Sequence, residues 1–199
     1  SSFTKEKIPH VPFGSLHTEL ILRNDFNPNL LYYWFTVPSL LAILTMVEAL
    51  LLTTMAVARE RELGTWDQLL VSPLTPRQIL IGKSIPSILI AIAEGTIIVL
   101  AILFGFQIPF NGSLSLLYLG MFFFVLSITG IGLFISSLCK TQQSALLAAF
   151  FFITPAVLLS GFATPIENMP DWLQPITYLN PLRYFLFIAR GTFLKGIGL

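Results

Sequence analysis

The chain has 199 residues, of which 55% are hydrophobic and only 11% are charged, and its mean hydropathy is +0.81. This composition lies outside the range of water-soluble domains and indicates a protein that resides in a lipid bilayer. The net charge of +1 provides no basic field of the kind that attracts nucleic acid, so the sequence disfavours nucleic-acid binding.

The first 22 residues contain no apolar run long enough to cross a membrane and no cleavable-signal pattern. After them, four windows reach the length of about 20 apolar residues that a helix needs to cross the hydrocarbon core. These windows are approximately 37–58, 84–106, 114–138 and 144–162. None alternates apolar and polar residues as barrel strands do, so the sequence predicts an all-α, polytopic membrane protein with four spans.

The charges of the connectors predict how the spans are oriented. Lys and Arg occur in the connectors 59–83 and 139–143, whereas 107–113 and 163–182 contain neither. Because short cytoplasmic loops carry an excess of basic residues, we expect the first two connectors in the cytoplasm. Basic residues near both ends of the chain count against this orientation.

The first cytoplasmic connector, 59–83, repeats one helix-start signal. Thr65 is followed by Gln68, and Thr75 by Gln78, which is the spacing of a capping box. We therefore expect two short helices that make this connector a folded elbow. Trp66 would contribute to an apolar face on the first of them, suited to contact with lipid or with a partner protein.

Two acidic residues, Glu48 and Glu94, fall inside predicted spans. Each lies about ten residues into its span, roughly 15 Å deep at 1.5 Å per residue, so both are expected near the midplane. A charged carboxylate there costs about 3 kcal/mol or more, and no Lys or Arg in the spans can pair with it. These acids could line a translocation pathway for a cation or proton, or be protonated and bonded to Thr or Ser neighbours.

The remaining features predict packing. The segment 163–183 is broken by four prolines and suits short helices at the outer interface, as an outer-face or re-entrant hairpin. Small residues recur at helical spacing, which favours close helix approach. They are Thr129, Gly132 and Ser136 in the third span and Ala145 and Ala149 in the fourth.

No pattern of catalytic or metal-binding residues occurs. His10 and His17 are the only histidines, and neither Cys nor an acidic cluster accompanies them at ligand spacing, so we expect no metal site. The chain has no Ser/His/Asp or Cys/His set and no G-x-x-x-x-G-K-[ST] phosphate loop. An intramembrane enzyme would lack its usual parts.

Four segments resemble those of one family, the type-2 ABC transporter permeases, particularly the multidrug exporters. They are ARERELGTWDQLLVSPLTPRQILIGK at 58–83, TGIGLFISSLCKTQQSA at 129–145, LSGFATPIENMPDWLQPITYLNPLRYF at 159–185 and ARGTFLKG at 189–196. The resemblance covers 27–196. It implies six spans with an outer domain after the first, so four of the six would be present here and residues 1–26 would end that outer domain.

The resemblance also implies partners. The elbow would be the coupling helix that docks on a separate ATP-binding subunit, which would hold ATP and Mg²⁺, while this chain would bind no cofactor. The residues at that contact would be Arg59, Glu60, Glu62, Gly64, Thr65, Trp66 and Gln68. A second permease subunit, identical or different, would be a further partner. The chain would lie in the lipid of the cell (inner) membrane.

By this resemblance the chain is expected to be the permease of an ATP-driven exporter of amphiphilic small molecules or drugs. An exporter of lipid-linked glycans has the same architecture and stays open as an alternative. A secondary transporter driven by an ion gradient is another, and it would use Glu48 or Glu94 directly.

Overall fold

A computed structural model of the chain describes residues 32–65, 71–108, 110 and 112–195. Its α-helices are α1 (Tyr32–Glu62), α2 (Pro76–Leu100), α3 (Leu114–Leu138), α4 (Gln142–Leu158) and α5 (Pro181–Arg190). π-helical turns extend α2 over Ala101–Gly105 and α5 over Gly191–Lys195, and 3-10 helices occupy Ile166–Asn168 and Gln174–Leu179. The described residues include no strand, which confirms the prediction of an all-α protein.

Three stretches are long and apolar enough to cross a membrane: Thr36–Glu62, Pro76–Gly105 and Leu114–Leu138. The chain is therefore a multi-pass membrane protein. The fourth predicted span corresponds to α4, which is apolar but only 17 residues long. It ends at Leu158 rather than at residue 162, because the chain turns at Gly161, where φ is +82°. The crossing of a fourth span stays a prediction.

The prediction of two short helices in the elbow is wrong for the second one. Thr75 and Gln78 do form a capping box, in which the Thr75 hydroxyl accepts from the Gln78 N–H and the Gln78 side chain accepts from the Thr75 N–H at 2.8 Å. This cap starts the long helix α2 itself, which continues from Pro76 through the apolar window to Leu100. The first signal, Thr65 with Gln68, extends into residues 66–70, outside the described residues.

Helix α1 is the centre of the bundle and packs against each of the other four α-helices. Its inner side chains, such as Leu41, Met46 and Leu50, are fully buried. A helix surrounded in this way transmits any displacement of its ends to several neighbours.

Helices α1 and α3 approach closely at two of the small residues that the sequence singled out, Gly132 and Ser136. A Cβ on Gly132 would overlap the Oγ1 of Thr53 on α1 and come within 3.3 Å of the Leu50 carbonyl oxygen. One turn later, the buried Ser136 hydroxyl donates to the Thr54 carbonyl at 2.5 Å and accepts from the Ala58 N–H at 3.0 Å. The prediction of close helix packing is confirmed for Gly132 and Ser136.

Asn180 links the end of α4 to the start of α5 at the end of the bundle opposite the elbow. Its Nδ2 donates to the Ala156 carbonyl near the end of α4 at 2.6 Å, and its Oδ1 accepts from the Leu182 N–H as the cap of α5. From Pro181 the chain returns into the core, where Phe185 is buried. The predicted hairpin 163–183 therefore stops at Asn180, because Asn-Pro starts a helix there.

Candidate functional site

The structure brings Glu48 of α1 and Glu94 of α2 together. Both are half-buried near the middle of their spans, and their carboxyl groups lie close enough to interact. The sequence placed both acids at one depth, and the structure adds that each is the other's partner.

Polar and small groups surround this pair where three helices meet. Gly95, next to Glu94, packs so closely that an added Cβ would lie 2.5 Å from the Met121 sulfur of α3 and 3.4 Å from the Thr45 hydroxyl of α1. The neighbouring Thr96 hydroxyl accepts from Tyr118 of α3 at 3.2 Å. The pair therefore lies in a partly polar seam inside the bundle.

A second polar cluster lies at the elbow end of the bundle, where the last turn of α1 carries Glu60, Arg61 and Glu62. Glu60 forms an ion pair with Lys83 of α2, and the Lys83 ammonium also donates to the Ala56 carbonyl at 3.4 Å. Both side chains are largely shielded from solvent, with 25% and 13% of their surfaces exposed. This contact fixes the start of α2 to the end of α1.

Arg61 and Glu62 contact the turn between α3 and α4. The Arg61 guanidinium donates to the carbonyl of Ser137 at 2.6 Å and to that of Cys139 at 3.4 Å. The Glu62 carboxylate accepts from the backbone N–H of Gln142 at 2.8 Å and from its side chain at 3.1 Å. These bonds place the connectors 59–83 and 139–143 at one end of the bundle.

Gly64 ends α1 and turns the chain into the elbow. Its φ is +72°, in the left-handed region that favours glycine. Its N–H donates to the Arg61 carbonyl at 3.2 Å, and the Thr65 N–H donates to the Glu60 carbonyl at 3.0 Å. This is the hydrogen-bond pattern of a Schellman motif, so the direction in which the elbow leaves the bundle is fixed locally.

The elbow presents apolar side chains to the surroundings. Leu63 is 63% exposed and Val71 is 86% exposed, and Leu74 is also exposed. Arg59 is exposed beside them. Trp66 and Gln68, two of the residues expected at an ATPase contact, lie outside the described residues.

The residues expected at that contact therefore separate into two groups. Arg59 and Gly64 are exposed, whereas Glu60, Glu62 and Thr65 have partners within the chain. The sequence reading did not assign a role to Arg61 or to Lys83 beyond their charge. A signal for Arg61 was present in the run of charges in the last turn of α1, whose members project to different sides of the helix.

A cavity of about 600 Å³ opens at the far end of the bundle, between residues 160–167 and α5. Its lining includes Glu167, Arg183, Tyr184 and Arg190. Arg190 donates to the Ser39 hydroxyl of α1 at 2.8 Å, so one wall is tied to the central helix. The described residues thus carry polar features at the elbow end, in the middle and at the far end of the bundle.

Comparison with known proteins gives consistent matches. A family model described as ABC-2 type transporter matches residues 11–194. The chain is 51% identical over 183 residues to the probable multidrug ABC transporter permease YbhR of Escherichia coli K12, which is 92% of this chain and 50% of that protein.

Two further proteins of Escherichia coli K12 are similar. The probable multidrug ABC transporter permease YbhS is 35% identical over 86% of this chain and 46% of its own length. The inner membrane transport permease YhhJ is 33% identical over 94% of this chain and 49% of its own length. The chain spans about half the length of these relatives. No solved structure gives a significant match.

Proposed function

Because the chain belongs to the ABC-2 type transporter family, we propose that it is the membrane-spanning part of a permease that exports amphiphilic small molecules and is driven by a separate ATPase. The observation that carries the proposal is the elbow. Its exposed apolar side chains, Leu63, Val71 and Leu74, stand at the charged end of the bundle, where an ATP-binding subunit would dock.

In this proposal the partner subunit binds ATP and Mg²⁺. This chain contributes the contact that couples ATP hydrolysis to transport, and part of the path that the substrate takes through the membrane. Arg59, Gly64, Trp66 and Gln68 are the proposed docking residues. The names of the relatives, which include a multidrug ABC transporter permease, support this choice of substrate class.

The outward faces of the helices carry exposed apolar side chains, which could contact lipid or a second permease subunit. Leu89, Ile97 and Phe104 of the α2 span are 63%, 66% and 79% exposed and form no part of the core. Apolar side chains of this kind are stable only in a bilayer or an apolar interface. A relative named as an inner membrane transport permease supports placement in the bacterial inner membrane. The Lys and Arg residues of the elbow favour its placement in the cytoplasm.

Cross-linking tests the docking of the elbow. Cys139 is buried, so a cysteine introduced as Val71→Cys or Leu74→Cys offers a selective attachment site for a photoreactive maleimide. We expect illumination of the assembled transporter to join these variants to the ATP-binding subunit. Phe104→Cys, at an exposed position beyond the far end of α2, is the matched control and should give no such product. If elbow and control positions cross-link alike, or if neither does in an assembled complex, the docking proposal fails.

The acid pair gives a second prediction. Glu48→Gln and Glu94→Gln keep side-chain size and hydrogen bonding but remove the ability to hold a charge. We expect each variant to fold and to export cationic amphiphiles about tenfold more slowly, the factor that corresponds to about 1.4 kcal/mol of lost interaction. Transport into inverted vesicles measures this, with a neutral substrate as the control. Unchanged export with both residues replaced would remove the pair from the pathway.

The proximity of the Glu48 and Glu94 carboxyl groups within the bundle is the observation that favours a transporter driven by an ion gradient. The two functions separate in one experiment, in which ATP binding by the partner is blocked by mutation and a proton gradient is imposed. Export that stops supports the ATP-driven permease, and export that follows the gradient supports the alternative.

A further inference from the structure

Three consecutive side chains at the end of α1 hold three different helices. Residues in sequence project about 100° apart around a helix, so Glu60, Arg61 and Glu62 point to three sides of α1. Because α1 is the centre of the bundle, a neighbour stands on each side. Glu60 meets α2 through Lys83, Arg61 meets the end of α3, and Glu62 meets the start of α4 at Gln142.

The charges match the helix ends that they contact. The carbonyl groups in the last turn of a helix lack intrahelical partners and carry partial negative charge, and the cationic Arg61 donates to two of them, at Ser137 and Cys139. The first N–H groups of a helix carry partial positive charge, and the anionic Glu62 accepts from that of Gln142. Each contact is therefore a charge-assisted bond to a group that its own helix leaves open.

We infer that Glu60, Arg61 and Glu62 form a coupling clamp that passes the movement of the elbow to α2, α3 and α4 together. The inference rests on the proposed function, in which the elbow receives the motion of the ATPase. The chain leaves α1 at Leu63 and Gly64, directly after the clamp, so a displacement of the elbow acts on the clamp without an intervening segment. Glu60 and Glu62 are then positioning residues within the permease, and the surface that docks on the ATPase lies outside them.

The test compares transport with ATP use in the assembled transporter reconstituted in lipid vesicles. For Arg61→Gln and Glu62→Gln we expect the ATP-binding subunit to stay associated and ATP to be hydrolysed. The number of substrate molecules exported per ATP should fall about 2- to 30-fold, the range of coupling changes produced by residues between two linked sites. Lys140→Gln removes a charge from an exposed residue of the same turn and should leave the ratio unchanged.

A charge reversal distinguishes coupling from loss of folding. Glu60→Lys alone places two cations together and should uncouple the transporter, and Glu60→Lys combined with Lys83→Glu should restore the export ratio. A double variant that stays uncoupled, or single variants at positions 61 and 62 that keep the ratio of the unmodified protein, would overturn the clamp.

Hydrogen exchange of the unmodified complex gives a measurement that does not depend on variants. Trapping the nucleotide-bound state should change amide exchange in the α3–α4 turn, residues 138–144, as well as in the elbow. A change confined to the elbow would overturn the clamp. Failure of the ATP-binding subunit to associate with the unmodified protein would instead contradict the proposed function.

Discussion

Replacement of Gly132 by valine should prevent the accumulation of folded permease in the membrane. Gly132 lies where α3 crosses α1, and even its first added carbon would overlap the Thr53 hydroxyl and stand 2.9 Å from the Thr53 Cβ. Thr53 is held in place, since its hydroxyl donates to the Ala49 carbonyl at 2.5 Å. The helices would have to separate, at a cost of about 3 kcal/mol or more, the upper range for overpacking a filled core.

Gly130 is the matched control on the same helix. An atom added to Gly130 meets nothing within 4 Å, and the residue is exposed on the outer face of α3. Gly130→Val should therefore give the yield and thermal unfolding midpoint of the unmodified protein, both measured on detergent-solubilised protein by size-exclusion chromatography and scanning fluorimetry. Equal behaviour of the two valine variants would show that the α1–α3 contact does not set the stability of the bundle. Thr53→Gly should partly rescue Gly132→Val, because it removes the side chain that the new carbon meets.

The apolar windows of the sequence located the helices but not their ends. Hydropathy reports the part of a helix that lipid covers, and α1 and α2 both continue beyond it, to Glu62 and from Pro76. The true ends depend on local chemistry: a left-handed glycine at position 64 and a capping box at Thr75. The capping box was readable from sequence. The length of the helix that follows could not be predicted from the capping box, since the same signal starts both short and long helices.

The site was predictable only in part, for a physical reason. Counting residues gives the depth of Glu48 and Glu94, but depth does not give the rotation of each helix about its axis, which decides whether two side chains meet. The partners of Glu60 and Glu62 are remote in sequence, at Lys83 and Gln142. Only the packing of α2 and α4 around α1 brings them close, and single-sequence patterns carry no record of that packing.

Replacement of Gly64 by proline should abolish export while leaving the bundle in the membrane. Proline fixes φ near −65°, whereas Gly64 has a φ of +72°. Proline also removes the N–H that donates to the Arg61 carbonyl, and it disfavours the helical conformation of Leu63 before it. The Schellman motif would be lost and the elbow would leave α1 in another direction. Because an atom added at Gly64 meets nothing within 4 Å, we expect normal yield. We also expect weakened association with the ATP-binding subunit and a loss of export of about tenfold or more, the factor of roughly 1.4 kcal/mol.

Gly64→Asn separates the backbone requirement from any need for glycine itself. Asparagine enters the left-handed region more readily than other residues with a side chain and keeps the N–H, so the turn should persist and most export with it. Association with the ATP-binding subunit, measured by co-purification, and export into vesicles should therefore follow the order glycine, asparagine, proline. If the proline variant binds its ATPase and exports normally, the elbow does not couple ATP hydrolysis to transport. If the asparagine variant fails as completely as the proline variant, the small size of glycine at the docking surface, rather than its backbone conformation, is what the transporter requires.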